Sequence, residues 1–248
     1  MSGLVLALLA GGVIGVALGA LGGGGSVLAV PALVYLLGFA PAAATTASLV
    51  IVAVTSATAL AAHARSGAVR WRGGMLFAAA GLVPSALGGA LTAHLPAGLL
   101  TVAFALVAGL AGHRMLRPSA TRRAESTVRA SRVAASGAGL GAVTGVLGVG
   151  GGFLAVPALV NVVGLRMRDA VGTSLLVITV NSLAALAARA GSSTHLDWAV
   201  VAPFTGAAIL GAWDGRRLAG KVSGDTLRRV FAWALLAMAG LMLVDALA

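Results

Sequence analysis

Two glycine runs carry the chemistry this sequence can offer. Gly22 to Gly25 interrupt an apolar stretch and are followed by Ser26 and Pro31; Gly148, Gly150, Gly151 and Gly152 interrupt a second, followed by Pro157. Glycine lets a chain turn without a side-chain clash. At membrane depth such irregular backbone is tolerated only when buried in protein or facing a water-filled cavity. A helix that restarts after the break presents N–H groups with no internal partner and a partial positive charge. Two such ends, at Gly23, Gly24, Gly25 and at Gly150, Gly151, Gly152, are expected to meet near the midplane and suit a small anion. Ser26 stands where the second arm should start, so its hydroxyl is expected to cap that arm. Pro31 and Pro157 each remove a donor, freeing a nearby carbonyl or starting the helix outright. The competing account is that the glycines only let helices pack closely. Two aligned copies, each with a proline at the same offset, favour the site.

Polar groups inside the following apolar stretches are the other candidates. The first stretch holds Thr45, Thr46, Ser48, Thr55, Ser56 and Thr58; the second holds Thr173, Ser174, Thr179, Asn181 and Ser182. Hydroxyls commonly bond back to the preceding helical turn. The Asn181 amide is different, because it is costly to leave unpaired in mid-membrane. It aligns with Thr55, so the two are candidates to line one cavity. The alternative role for Asn181 is a helix–helix hydrogen bond.

Other chemistries find no residues. Glu125, Asp169, Asp197, Asp214, Asp225 and Asp245 lie near stretch ends or in loops, as do His63, His94, His113 and His195. No carboxylate occupies a mid-span position suited to a buried proton relay, and the histidines read as interfacial, so neither a metal nor a cofactor is expected. Cysteine is absent, which excludes disulfides and thiol catalysis. GGGGS lacks the Lys-Ser/Thr ending of a phosphate-binding loop. With no nucleophile beside a base either, the chain does not read as an enzyme.

The elements that must position these groups are membrane helices. Only 9% of the 248 residues are charged and 59% are hydrophobic, where a soluble domain carries about 25% charged residues. The net charge of +11 is spread in short arginine clusters between apolar runs, with few aromatics. That pattern suits topology determinants rather than a nucleic-acid face. Residues 4–21 follow no basic segment and are expected to stay as a helix rather than be cleaved. Spans are expected at 41–64, 73–94, 97–113, 170–190, from Trp198 to Ala212 onward, and at 230–248. Residues 26–38 and 153–165 are too short to cross about 30 Å of hydrocarbon, which predicts half-helices or re-entrant segments.

The chain is duplicated. Pro31 and Pro157 stand 126 residues apart (157 − 31), and on that alignment Leu33 matches Leu159, Gly38 matches Gly164, Ser48 matches Ser174 and Ser56 matches Ser182. A one-residue shift then matches Trp71 to Trp198, Gly88 to Gly215 and Leu91 to Leu218. Residues 1–113 and 133–248 are thus expected to form two membrane repeats joined by a basic cytoplasmic linker, 114–132. Five helical elements per half put the expected loops 65–72, 166–168 and 216–229 on the same cytoplasmic side as the linker, with 16 of the 17 Lys/Arg residues inside and Arg189 outside; four per half give 10 inside and 7 outside. The positive-inside rule favours five. An odd number inverts the second half, the architecture of alternating access. The expected fold is therefore an all-α integral membrane protein with an inverted-topology internal repeat and Gly-broken re-entrant or half helices, both termini outside.

The Gly148–Leu159 pattern, its relative GGGGSVLAVPAL, the Gly172-Thr173-Ser174 step, and the ends Gly88–Leu91 and Gly215–Leu218 together resemble the sulfite exporter TauE/SafE family of bacterial membrane transporters. The first half departs from the pattern at Ala47, which faces Thr173. The resemblance implies secondary transport, often export, of a small sulfur-containing anion such as sulfite or an organosulfonate across the plasma membrane. The residues alone reach only a small anion near two helix N-termini. A passive anion channel, or a transporter of an unrelated small solute, is the alternative. An intramembrane enzyme or assembly subunit is a third class, for which no catalytic pair is visible. Expected partners are the small anion and the lipid bilayer, without nucleic acid, and a homodimer is among the assemblies allowed.

Overall fold

The computed structural model describes residues 2–92, 97–117, 130–147, 152–188 and 196–247. All regular secondary structure among these residues is helical. The first half holds α1 (Ser2–Leu21), α2 (Gly24–Pro31, continued by a π-helical turn at Ala32–Leu36), α3 (Pro41–Ala64), α4 (Trp71–Thr92) and α5 (Ala97–Leu116). The second holds α6 (Ala130–Leu147), α7 (Gly152–Asn161), α8 (Met167–Ala188), α9 (Trp198–Lys221) and α10 (Gly224–Leu247). Four of these, within α1, α3, α8 and α10, are long and apolar enough to cross a membrane by length and composition. Large apolar side chains such as Leu9, Val13, Leu106, Leu210, Trp233 and Leu241 are exposed. Exposed apolar surface on this scale marks a lipid-facing belt.

Lipid tails are as apolar as leucine, so helix association here rests on close packing of small residues. The most extensive contacts pair α1 with α9 and α4 with α6. A Cβ on Gly11, Gly15 or Gly19 would run into the backbone of Phe204, Ala208 or Ala212 respectively, and one on Gly211 or Gly215 into that of Gly12 or Val16. Both number series rise together, so α1 and α9 run parallel. Gly137 and Gly141 of α6 meet Phe77 and Gly81 of α4 in the same way. Exchanging the halves therefore turns one pair into the other. Counterpart helices, by contrast, run antiparallel. On α5 and α10, Gly109 approaches Ala239 while Gly112 approaches Ala232. On α3 and α8, Ser56 bonds Thr179 at 2.9 Å while Ala68, just past α3, abuts Gly172.

Local ends of the repeats also match. Gly38 and Gly164 both take positive φ, 69° and 83°. Just beyond them, the Phe39 N–H donates to Leu33 O at 3.0 Å and the Leu165 N–H to Leu159 O at 2.9 Å. Ser48 and Ser174 each donate to the carbonyl three residues back, at 2.8 Å.

Two sequence expectations need correction. The loop expected at 216–229 is mostly helix: α9 continues to Lys221 and α10 begins at Gly224. Charged side chains do not break a helix whose last turns reach water, and the turn is set instead by Ser223, whose Oγ accepts the Thr226 N–H at 3.1 Å. Neither Pro31 nor Pro157 starts a helix, since both lie inside one. The 114–132 linker falls largely on residues 118–129, outside the described residues, as do Arg189, His94 and His195.

Candidate functional site

The first break is a hairpin. The Gly22 N–H closes α1 by donating to Leu18 O at 2.8 Å, and Gly22 takes φ 71°, which only glycine adopts cheaply. The chain then reverses, and α2 returns along α1. A Cβ on Gly25 would sit 2.6 Å from Ile14 O. Further down, an apolar cleft of about 450 Å³ is lined by Leu6, Leu9 and Val13 of α1 and by Leu28, Pro31 and Tyr35 of α2. Gly25 thus packs closely against α1.

The hairpin tip is buried in the other half. A Cβ on Gly22 would collide with Ser174 Oγ and lie 3.2 Å from both Val156 Cγ2 and Val171 O. The half-helices α2 and α7 touch each other. Gly23 is the N-cap residue of α2, with Gly24 its first helical residue. No side chain caps this end, and Ser26 lies in the first turn rather than at the cap, because the helix begins two residues earlier than expected. Gly152 opens α7, while Gly150 and Gly151 lie outside the described residues.

The Gly172-Thr173-Ser174 step is a three-way clamp in α8. Gly172 admits Ala68, whose carbonyl would be 2.5 Å from a Cβ there; Thr173 Oγ1 accepts the Arg70 N–H at 3.1 Å; Ser174 meets Gly22. Thr173 therefore caps the entry to α4. The departure at Ala47 follows from this, because the matching helix α9 is capped by its own Asp197, whose Oδ1 accepts the Ala199 N–H at 3.0 Å. A hydroxyl at residue 47 has no such work to do.

Thr55 and Asn181 share another property. Thr55 is 2% exposed, and its Oγ1 and the Asn181 Oδ1 are both buried without a hydrogen-bond partner among the described residues. Such atoms are costly inside a membrane protein unless something else satisfies them. Both flank the α3–α8 contact at Ser56 and Thr179. Thr55 and Asn181 do not line the apolar cleft.

Sequence reasoning missed two residues. Asp169, placed near a helix end, is buried, and its Oδ2 lies 3.2 Å from both Arg70 Nη2 and Arg166 Nε, linking the halves. His63 is also buried, with Nε2 3.3 Å from Gly19 O. The signal for Asp169 was its place among three arginines of two loops. Arg70, Arg166, Arg168 and Arg216 belong to segments that touch one another: Arg168 Nη2 donates to Gly220 O at 3.2 Å, and Arg216 Nη1 to Ala62 O. Loops 65–72 and 166–168 and the α9–α10 turn thus gather at one end. Groups able to ligate a metal form no cluster of three or more among the described residues.

The sequence profile described as Sulfite exporter TauE/SafE matches residues 7–242. A probable membrane transporter protein of Xylella fastidiosa is 36% identical over 95% of this chain and 93% of its own length. Its counterpart from a second strain is 34% identical over the same shares, and one from Sinorhizobium fredii is 29% identical over 84% of this chain and 85% of its own length. No solved structure matches with significance. Apolar helices of spanning length, a profile covering nearly the whole chain and two relatives more than a third identical lead to one conclusion: this chain belongs to the sulfite exporter TauE/SafE family, as a multi-pass membrane transporter of the bacterial cell membrane.

Proposed function

We propose that this transporter moves a small sulfur-containing oxyanion, such as sulfite or an organosulfonate, by alternating access between two inverted halves, in the direction of export. The observation that carries the reading is the first hairpin, whose tip at Gly22 is buried against Ser174 and Val156 of the other half. It puts the start of α2, which no side chain caps, inside the protein, where a helix N-terminus favours an anion. Thr55 and Asn181, whose Oγ1 and Oδ1 are buried without a partner among the described residues, are the side chains assigned to this site, with Gly24, Gly150, Gly151 and Gly152 supplying backbone amides. The Thr55 hydroxyl would donate to the anion directly; the Asn181 amide would turn its NH2 group toward it.

An inverted repeat is supported by the antiparallel courses of α3 against α8 and of α5 against α10. Gathering of the arginine loops of both halves at one end supports five elements per half, with that end cytoplasmic. The Arg70–Asp169–Arg166 cluster ties the halves together there, so it is a contact that must part when the site opens to that side. Sulfur as the anion's central atom rests on the family description alone.

The test is a growth and flux assay with sulfite, sulfate, thiosulfate and taurine, comparing the wild type with Gly151→Leu. Saturable sulfite flux lost in the variant, with insertion retained, is expected. Undiminished flux in the variant contradicts the site, and single-channel currents contradict the carrier.

A further inference from the structure

At the arginine-rich end, between the last turns of α3 and α9, lies a cavity of about 270 Å³ lined by Ala62, Arg65, Ser66, Trp213, Arg216 and Arg217. Three guanidinium groups border it, and the carboxylate paired with them among the described residues is Asp214, 3.6 Å from Arg217. Arg216 is anchored by donating to Ala62 O. The exposed Arg65 side chain has no partner among the described residues. Leu210, Trp213 and Leu218 of α9 are all exposed. Leu210, Trp213 and Arg217 follow one another at three- and four-residue steps, so the cavity continues the lipid-facing stripe of α9.

The duplication supplies a control. On the repeat alignment, Arg65 and Ser66 match Gly191 and Ser192, while Trp213, Arg216 and Arg217 match Ala86, Gly89 and Ala90. The counterpart pair, α8 with α4, does without any of these cations, so helix packing of this kind does not require them. Arginines match phosphate oxygens in geometry and charge, exposed tryptophans sit at headgroup depth, and basic pockets between membrane helices take acidic headgroups.

We propose that this cavity holds the phosphate of an anionic phospholipid, with Arg65, Arg216 and Arg217 on the phosphate and Trp213 beside the glycerol and upper acyl chain. The chemistry shared with a free oxyanion is a tetrahedral phosphate, and the experiment separates the two sources. The full-length protein is examined by native mass spectrometry with equal phosphatidylglycerol and phosphatidylcholine. Arg65→Gln/Arg217→Gln is compared with the control Arg132→Gln/Arg229→Gln, which removes two charges from the same end outside the cavity. Wild type should retain phosphatidylglycerol preferentially. The cavity variant should bind it about tenfold more weakly, and the single Arg65→Gln, at a side chain with no partner to lose, about threefold; the control should be unchanged. Millimolar inorganic phosphate should not displace the lipid. Equal retention of both lipids, equal loss in the control, or displacement by inorganic phosphate would each overturn the assignment.

Discussion

Gly22 of the first half and Ser174 of the second are in direct contact: the left-handed glycine at the hairpin tip leaves room for one hydroxyl and nothing more. A side chain at residue 22 faces two separate costs. The left-handed backbone costs a non-glycine residue about 1–2 kcal/mol, and the Ser174 hydroxyl must also move. Gly22→Ala is therefore expected to lose about 2–4 kcal/mol of stability. Adding Ser174→Ala should recover the part of the steric share due to the hydroxyl and leave the backbone share. Thermal melts of the single and double variants check this, and equal melting of Gly22→Ala and wild type would contradict it.

Packing of α1 on α9 predicts a sharp contrast between glycines. Gly15 lies against the Ala208 backbone, whereas Gly240 faces open space. Gly15→Val should prevent stable folding or lower the melting temperature by about 10 °C or more, while Gly240→Ala should change stability by less than about 0.5 kcal/mol. Detergent-solubilised melts distinguish the two.

Asp169 joins two arginines whose side chains are 56% and 72% exposed. Solvent screening limits such a cluster to about 1 kcal/mol. Asp169→Asn should therefore cost little stability at low salt, and less as salt rises. Its larger effect should fall on transport, because the contact bridges the halves. Restoration by the swapped pair Arg70→Asp/Asp169→Arg would assign the effect to the ion pair itself.

Much of this architecture was legible before any coordinates. The match of Leu33 with Leu159 and of Gly38 with Gly164 has a physical cause: each leucine carbonyl accepts an amide six residues on, across a left-handed glycine. The hairpin followed from four consecutive glycines. Partner choice was not legible. Gly11, Gly15 and Gly19 stand at four-residue spacing, which marks a packing face, but spacing does not say which helix fills it. Ser26 was misplaced as a cap because helix starts are set by the turn before them, and that turn ends at Gly23. Asp169 looked solvated because its burial comes from the 65–70 segment folding over α8, a contact about one hundred residues away along the chain.

Topology follows from where the arginines gather. In this cysteine-free chain, single cysteines at Arg217 and Ser193 can be labelled cleanly. Residue 217 should react with an impermeant reagent only from the cytoplasmic side, and residue 193 only from outside. The opposite pattern would reject the inverted arrangement.

The central claim is that an anion accepts hydrogen bonds from the Thr55 hydroxyl and from the NH2 group of a turned Asn181 amide. Sulfite counterflow in proteoliposomes, measured for wild type, Thr55→Val and Asn181→Leu with melting temperature followed in parallel, tests it most directly. Atoms with no protein partner can be removed without loss of folding, so both variants should melt at or above wild type while saturable counterflow falls about tenfold or more. Full counterflow in both variants, or a stability loss with transport intact, would contradict the account.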